Sequence, residues 1–212
     1  EGVLKPGRYI GNEIGIKSKI LSDIEDRNST VFTVLSFPDI YEVGMSNLGI
    51  QILYDIINKQ KDFSAERVFS PWIDFEENLV KSNKKLFSLE NRIFLDEFDI
   101  IGISLQHELQ YTNALNILKL GGIGIRSDRR DENDPLVCAG GPACFNPLPM
   151  AGFIVFFVIG DGEEVLIKVL QVLKIKKKEG KTKKTGDIVY GTGKKGCRAN
   201  YQKGRGFCQM VH

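Results

Sequence analysis

Two glycines and three carboxylates crowd into VIGDGEEVL, Val158 to Leu166, between the apolar run FIVFFVIG and a stretch of helical periodicity. Glycine permits close backbone approach and positive φ. The N–H groups that open a helix are free to meet a polar or anionic ligand. Gly160, Asp161, Gly162 and Glu163 therefore read as a ligand-holding turn, although Asp161, Glu163 and Glu164 equally suit the first turn of any helix. AGGPACFNP is a second such turn, with Gly140 and Gly141 ahead of Pro142. FPDIYEVGMSN offers Asp39, Tyr41 and Gly44 after an apolar run, and SLQHE offers Ser104, Gln106, His107 and Glu108. Any one of these turns is weak evidence, because strand-to-helix connections need small residues in any case. Their combination is more specific.

Those turns need elements to hold them. TVFTVLSFP (30–38) is a β-branched and aromatic run stopped by proline, hence a buried strand. LGIQILYDIINK places Leu48, Ile52, Leu53 and Ile56 at helical spacing. AERVFSP (65–71) is a second strand closed by Pro71; DFEENLVKSNKK is helical, and LFSLENR holds a short extended piece. FDIIGISLQ (98–106) is apolar nearly throughout, as suits a parallel strand covered on both faces. ELQYTNALNILKLGGI is a helix capped at Gly121-Gly122. PLVCAGG (135–141) and FIVFFVIG (153–160) are the fourth and fifth strands, and EEVLIKVLQVLKIKKK is the last helix. The alternation predicts an α/β fold: a doubly wound, mainly parallel five-stranded sheet of the flavodoxin-like type with helices on both faces. Ligands of such sheets bind outside the carboxyl ends of the strands, and all four turns fall there.

The 212 residues carry 42% hydrophobic and 26% charged side chains, an ordinary globular composition. No apolar run approaches the roughly 20 residues of a membrane span. No basic region followed by an apolar stretch opens the chain, so a cytoplasmic location is expected. Four cysteines without framework spacing fit a reducing compartment. The net charge of +2 hides an asymmetry: from Glu164 onward there are 13 Lys/Arg against 3 Asp/Glu, so the body is acidic and the tail basic. The tail reads as a solvated helix end and linker, and nucleic acid is not an expected partner. The expected organisation is a lead-in at 1–30, a body at 31–175, and a poorly ordered Gly/Lys-rich tail at 176–212. No G-x-G-x-x-G follows the first strand, which speaks against a dinucleotide fingerprint. A phosphoacceptor domain would need an Asp after strand three and a Lys after strand five, and both are missing.

The ordered set FPDIYEVGMSNLGIQIL, FDIIGISLQ, LVCAGGPACFNPLP and FVIGDGEEVL, preceded by KPGRYIG at 5–11, resembles the N-terminal cobalamin-binding-type domain of radical S-adenosylmethionine (SAM) proteins. The likeness covers about Lys5 to Lys174. It implies a cofactor site made of Asp39, Tyr41, Gly44, Ser104, Gly140, Gly141, Gly160, Asp161, Gly162 and Glu163. In cobalamin domains of this fold an Asp-x-His-x-x-Gly loop after strand one supplies a histidine to cobalt, a histidine that many cobalamin-dependent radical enzymes lack. Tyr41 stands at that place here, and a phenol is a poor substitute for neutral imidazole. The resemblance thus implies either a cobalamin held without this ligand or a Rossmann-like scaffold that binds no cobalamin.

It further implies a catalytic barrel as partner, with a four-iron, four-sulfur cluster on Cys-x-x-x-Cys-x-x-Cys that cleaves SAM. GFCQM at the end resembles the last cysteine of that motif. Aligned on Cys208, the other two places hold Tyr201 and Arg205, and Cys197 is wrongly spaced. Cys208 is the single candidate metal ligand, and the chain alone is expected to be a truncated, inactive part. His107 reads as a surface or capping group, Cys138 as a core residue, Cys144 as partly exposed in the binding-edge loop, and Trp72 as packing.

Overall fold

The computed structural model describes residues 3–11, 13, 14, 16, 19 and 29–179, together with the backbone of short strands at 197–198, 201–202, 205–206 and 208–211. Its centre is an all-parallel sheet of β1 (Val31–Phe37), β2 (Phe63–Phe69), β3 (Ile100–Ser104), β4 (Leu136–Gly140) and β5 (Phe156–Ile159). The strands lie in the order β2-β1-β3-β4-β5, so the order reverses between β1 and β3. Helices α1 (Tyr41–Gly44), α2 (Leu48–Asn58), α3 (Ile73–Lys81), α4 (Tyr111–Leu120) and α5 (Gly162–Lys178) follow their strands. This is the doubly wound α/β fold that the alternation of patterns predicts.

The two faces sort by strand parity, because successive side chains of a strand point to opposite sides. Leu35, Ile100, Cys138 and Phe156 face α2 and α5, where Ile50, Tyr54, Ile57, Leu166 and Val169 cover them. Val34, Ile101, Val137 and Phe157 face the opposite way, against Leu79 of α3 and Ala114, Ile117 and Leu118 of α4. Both faces are closed, which is why the strands are apolar runs and not alternating patterns.

Boundaries differ where tertiary pairing decides them. β2 begins at Phe63, two residues ahead of the run read from sequence, because Phe63 pairs with Val31. The buried Asn58 at the end of α2 clamps it there: Asn58 Nδ2 donates to the Ala65 carbonyl at 3.0 Å, and Ala65 N–H donates to Asn58 Oδ1 at 2.9 Å. α3 stops at Lys81, short of the sequence reading, and Asn83 beyond it takes a φ of 51°. The extended piece in LFSLENR is one antiparallel bridge, Phe87 to Phe94.

Most of the tail, on which the expectation of poor order rests, lies outside the described residues. Within it, β6 (Cys197–Arg198), β7 (Tyr201–Gln202), β8 (Arg205–Gly206) and β9 (Cys208–Val211) are short strands. β9 continues the main sheet in parallel register beyond β5, with Phe156 opposite Cys208 and Ile159 opposite Val211, and β6 pairs antiparallel with β9. Among the described residues no helix is long and apolar enough to cross a membrane.

The lead-in packs on the body. Pro6–Tyr9 form a 3-10 turn whose Tyr9 ring stacks on Phe75 at 4.1 Å. Arg8 pairs with Glu42 at 2.7 Å and lies over the Trp72 ring at 5.5 Å. Trp72 is thus a half-exposed platform for the lead-in.

Phe157 is fully buried on the α3/α4 face. Phe157→Ala is expected to cost about 3–5 kcal/mol, read as a lower urea midpoint with an unchanged denaturant slope.

Candidate functional site

Parallel strands bring all their carboxyl ends to one edge. At that edge, between α2 and α5, the packing is incomplete. A cavity of about 230 Å³ lies over the sheet there. Its floor is built by residues of like parity on neighbouring strands: Leu35, then Gly102 and Ser104, then Cys138 and Gly140, then Val158. Gly49, Ile50 and Leu53 of α2 form one wall, and Gly162, Glu163 and Leu166 of α5 form the other. Gly160 and Asp161 stand at the mouth.

The cavity exists because the floor lacks side chains. A Cβ at Gly102 would meet Leu35 Cδ2 at 3.5 Å and the Cys138 sulfur at 3.9 Å, ordinary contacts, so a side chain could be built there and would enter the cavity. A Cβ at Gly140 likewise finds Val158 no nearer than 3.6 Å. Gly141 is glycine for another reason: its φ is +104°, and a Cβ would lie 2.5 Å from the Leu105 carbonyl oxygen. That contact sits where the two loops are laced, with Leu105 N–H bonded to the Gly140 carbonyl and Ala143 N–H bonded to the Leu105 carbonyl. Gly160 also takes a positive φ, +95°, turning the chain from β5 into α5.

Polar groups are few. Gln106 Nε2 donates to Ser104 Oγ at 2.8 Å, and Gln106 N–H donates to Oε1 of the buried Gln110 at 2.8 Å. Asp161 is the N-cap residue of α5, yet its side chain accepts no capping hydrogen bond. Among the described residues none that lines the cavity is basic. The Cys138 thiol is pushed up to about 12 by burial, so the floor holds a neutral SH. Cys144 is buried, not partly exposed, and burial pushes it up to about 12 as well. Neither is a ready nucleophile or metal ligand. His107 is exposed, in line with a surface role. Among the described residues no three His, Cys, Asp or Glu side chains group as a metal site, and the side chain of Cys208 lies outside those described.

The structure brings together Ser104, Gly140, Gly141, Gly160, Asp161, Gly162 and Glu163. Asp39, Tyr41 and Gly44 do not line this cavity. Asp39 joins the ends of β1 and β2, its carbonyl accepting from Ser70 N–H at 2.8 Å. Gly44 is pressed on Phe69, where a Cβ would lie 2.2 Å from the ring. Tyr41 turns to the lead-in: its OH donates to Glu13 Oε1 at 2.7 Å, and its ring meets Phe69 edge-on at 5.6 Å. Burial, then the Glu13 bond, pushes the Tyr41 phenol up to about 12. Sequence reasoning missed Gly102 and Cys138 as floor residues. The signal was parity: Gly102 stands two before Ser104, and Cys138 two before Gly140.

Glu13 belongs to a second polar cluster, away from the cavity. The buried Arg67 of β2 pairs with Glu13 at 2.6 Å and with Glu90 at 2.7 Å, and its guanidinium lies 4.8 Å from the centre of the Tyr54 ring. Burial pushes the Glu90 carboxyl up to about 7, against the pull of Arg67 and helped by the nearby Glu66. This cluster clamps the lead-in and holds Tyr41 off the sheet edge.

The chain matches the family of radical SAM proteins, N-terminal, over residues 49–187. It belongs to that family. It is also similar to an uncharacterized protein of Methanocaldococcus jannaschii, 28% identical over 137 residues, which is 63% of this chain and 25% of that protein. The chain therefore spans about a quarter of the length of that curated relative. No solved structure matches. The expected family membership stands at the level of a radical SAM N-terminal region.

Two predictions test the geometry. Gly141→Ala meets both the strained φ and the Leu105 carbonyl, so it should cost more than about 1 kcal/mol in chemical unfolding. Glu90 has a folded pKa above its ordinary 4.5, so its contribution to stability is fully present below 4.5 and lost as pH rises through about 7. Glu90→Gln removes that titration. The stability of the unsubstituted chain relative to Glu90→Gln should fall between about pH 5 and about pH 8 in matched urea titrations.

Proposed function

We propose that this chain is the cofactor-binding N-terminal domain of a radical SAM iron–sulfur enzyme, and that the cavity between α2 and α5 receives the nucleotide tail of cobalamin. The observation that carries this reading is the floor stripped of side chains at Gly102 and Gly140, with Gly160 at the mouth, beneath apolar walls. A well-packed sheet face leaves no such slot, whereas a flat ligand with an apolar body needs one. Ser104 offers a hydroxyl on the floor, and the α5 N-terminus offers backbone N–H groups at the mouth.

In this reading the ten residues implied by the resemblance divide. Ser104, Gly140, Gly141, Gly160, Asp161, Gly162 and Glu163 hold the ligand. Asp39, Tyr41 and Gly44 shape the edge beside it, and Tyr41, engaged by Glu13, supplies no lower ligand to cobalt. Bound cobalamin would contribute a redox-active cobalt centre; the chain's own part is to grip the tail and exclude water from it. The cluster and SAM belong to the catalytic region of the longer family protein, which is the partner this domain serves.

The tethered Tyr41 favours a second reading, a scaffold that kept the fold and binds no cobalamin. Hydroxocobalamin mixed with the purified chain and then desalted separates the two. Retained pigment whose visible spectrum shows no lower nitrogen ligand is expected. Gly102→Val, which suits a strand and fills the slot, should lose most of the pigment while keeping its circular dichroism. A folded chain that retains no pigment would leave the scaffold reading.

A further inference from the structure

The side-chain hydrogen bond on the cavity floor, from Gln106 to Ser104, has a direction. Gln110 is buried, with 2% of its surface exposed, and its Oε1 accepts from the Gln106 backbone N–H. That bond pins the backbone of Gln106 beside the floor. The Gln106 side chain then reaches back two residues, and Nε2 donates to Ser104 Oγ at 2.8 Å. A serine hydroxyl has one proton to give and lone pairs to accept with. With its oxygen accepting from Gln106, its proton is left to be donated into the cavity. Among the described residues no lysine or arginine lines the cavity, and the carboxylates that do are Asp161 at its mouth and Glu163 on the α5 wall. The floor thus offers the Ser104 hydroxyl, beside the weakly donating Cys138 thiol and the second Gln106 amide N–H, in apolar surroundings, where an unmatched polar group is costly.

We infer that Gln106 is a positioning residue that sets Ser104 as a hydrogen-bond donor, so that the slot selects a neutral ligand group carrying an acceptor atom. This rests on the slot being a ligand site, as proposed above. Gln106 acts through Ser104 and not by its own bulk, so an isosteric change of polarity at 106 should be felt. In Gln106→Glu the carboxylate can only accept. The Ser104 proton turns to it, and the ligand's acceptor then faces a lone pair. Gln106→Ala leaves the hydroxyl free to rotate and should weaken binding less.

The test compares two probes, hydroxocobalamin and cobinamide, the latter being the same macrocycle without the nucleotide tail. For the unsubstituted chain, hydroxocobalamin should bind more tightly than cobinamide. Gln106→Glu should weaken hydroxocobalamin binding roughly tenfold, the size of one lost hydrogen bond, and leave cobinamide binding unchanged. Ser104→Ala should shift the Gln106 side-chain amide resonances in the ligand-free protein, because the acceptor is gone. Equal hydroxocobalamin affinity in Gln106→Glu and the unsubstituted chain, or an amide resonance indifferent to Ser104→Ala, overturns the role of Gln106 and leaves the slot reading in place. Failure of the folded, unsubstituted chain to bind hydroxocobalamin more tightly than cobinamide overturns the slot reading and this inference with it.

Discussion

A parallel sheet covered on both faces must be filled with side chains, and at a patch of its carboxyl edge this one is not. On the α2/α5 face, β3 presents Gly102 and Ser104 and β4 ends in Gly140, with Gly160 just past β5. Small residues on adjacent strands at one level leave a hollow that α2 and α5 bridge without collapsing into it. Dispersion contacts are forfeited along that lining, and the loss is tolerated only because the rest of both faces is closely packed. The turns, the positive φ at Gly141 and Gly160, and the loop lacing through Leu105 all serve to keep that hollow open.

A second constraint acts beside the first. Arg67 is buried on β2 with carboxylates from two distant segments, Glu13 of the lead-in and Glu90 of the connection before β3. A buried guanidinium needs such partners, since an unpaired one is far more costly than the pair. The pair in turn fixes the lead-in over the ends of β1 and β2. Tyr41 is drawn into the arrangement through Glu13, and the loop that could have reached a metal is committed to structure. The two halves of the carboxyl edge therefore have different characters: ionic and closed at β1/β2, apolar and open at β3/β4/β5.

Membership in the radical SAM N-terminal family accords with this division of labour. Among the described residues the domain contributes a shaped slot, the buried thiols of Cys138 and Cys144 are held neutral, and no cluster of metal-binding side chains forms.

Much of this was legible in the chain itself. The apolar runs at 30–38, 98–106, 135–141 and 153–160 and the helical spacing of Leu48, Ile52, Leu53 and Ile56 set the α/β class, because strands buried on both faces and helices buried on one leave direct traces in residue order. The glycine turns AGGP and GDGE marked the edge where the cavity lies, since glycine marks places where the backbone itself must do something unusual. Tertiary structure alone decided the rest. Tyr41 faces Glu13 and not the slot because Arg67, on another strand, holds Glu13 there. Cys144 is buried because the loop that carries it folds back under Leu105. Gln106 gains its meaning only from Gln110 and Ser104 meeting around it. Local sequence records which face a residue turns within its own element; which partner waits on that face is set by residues far away in the chain.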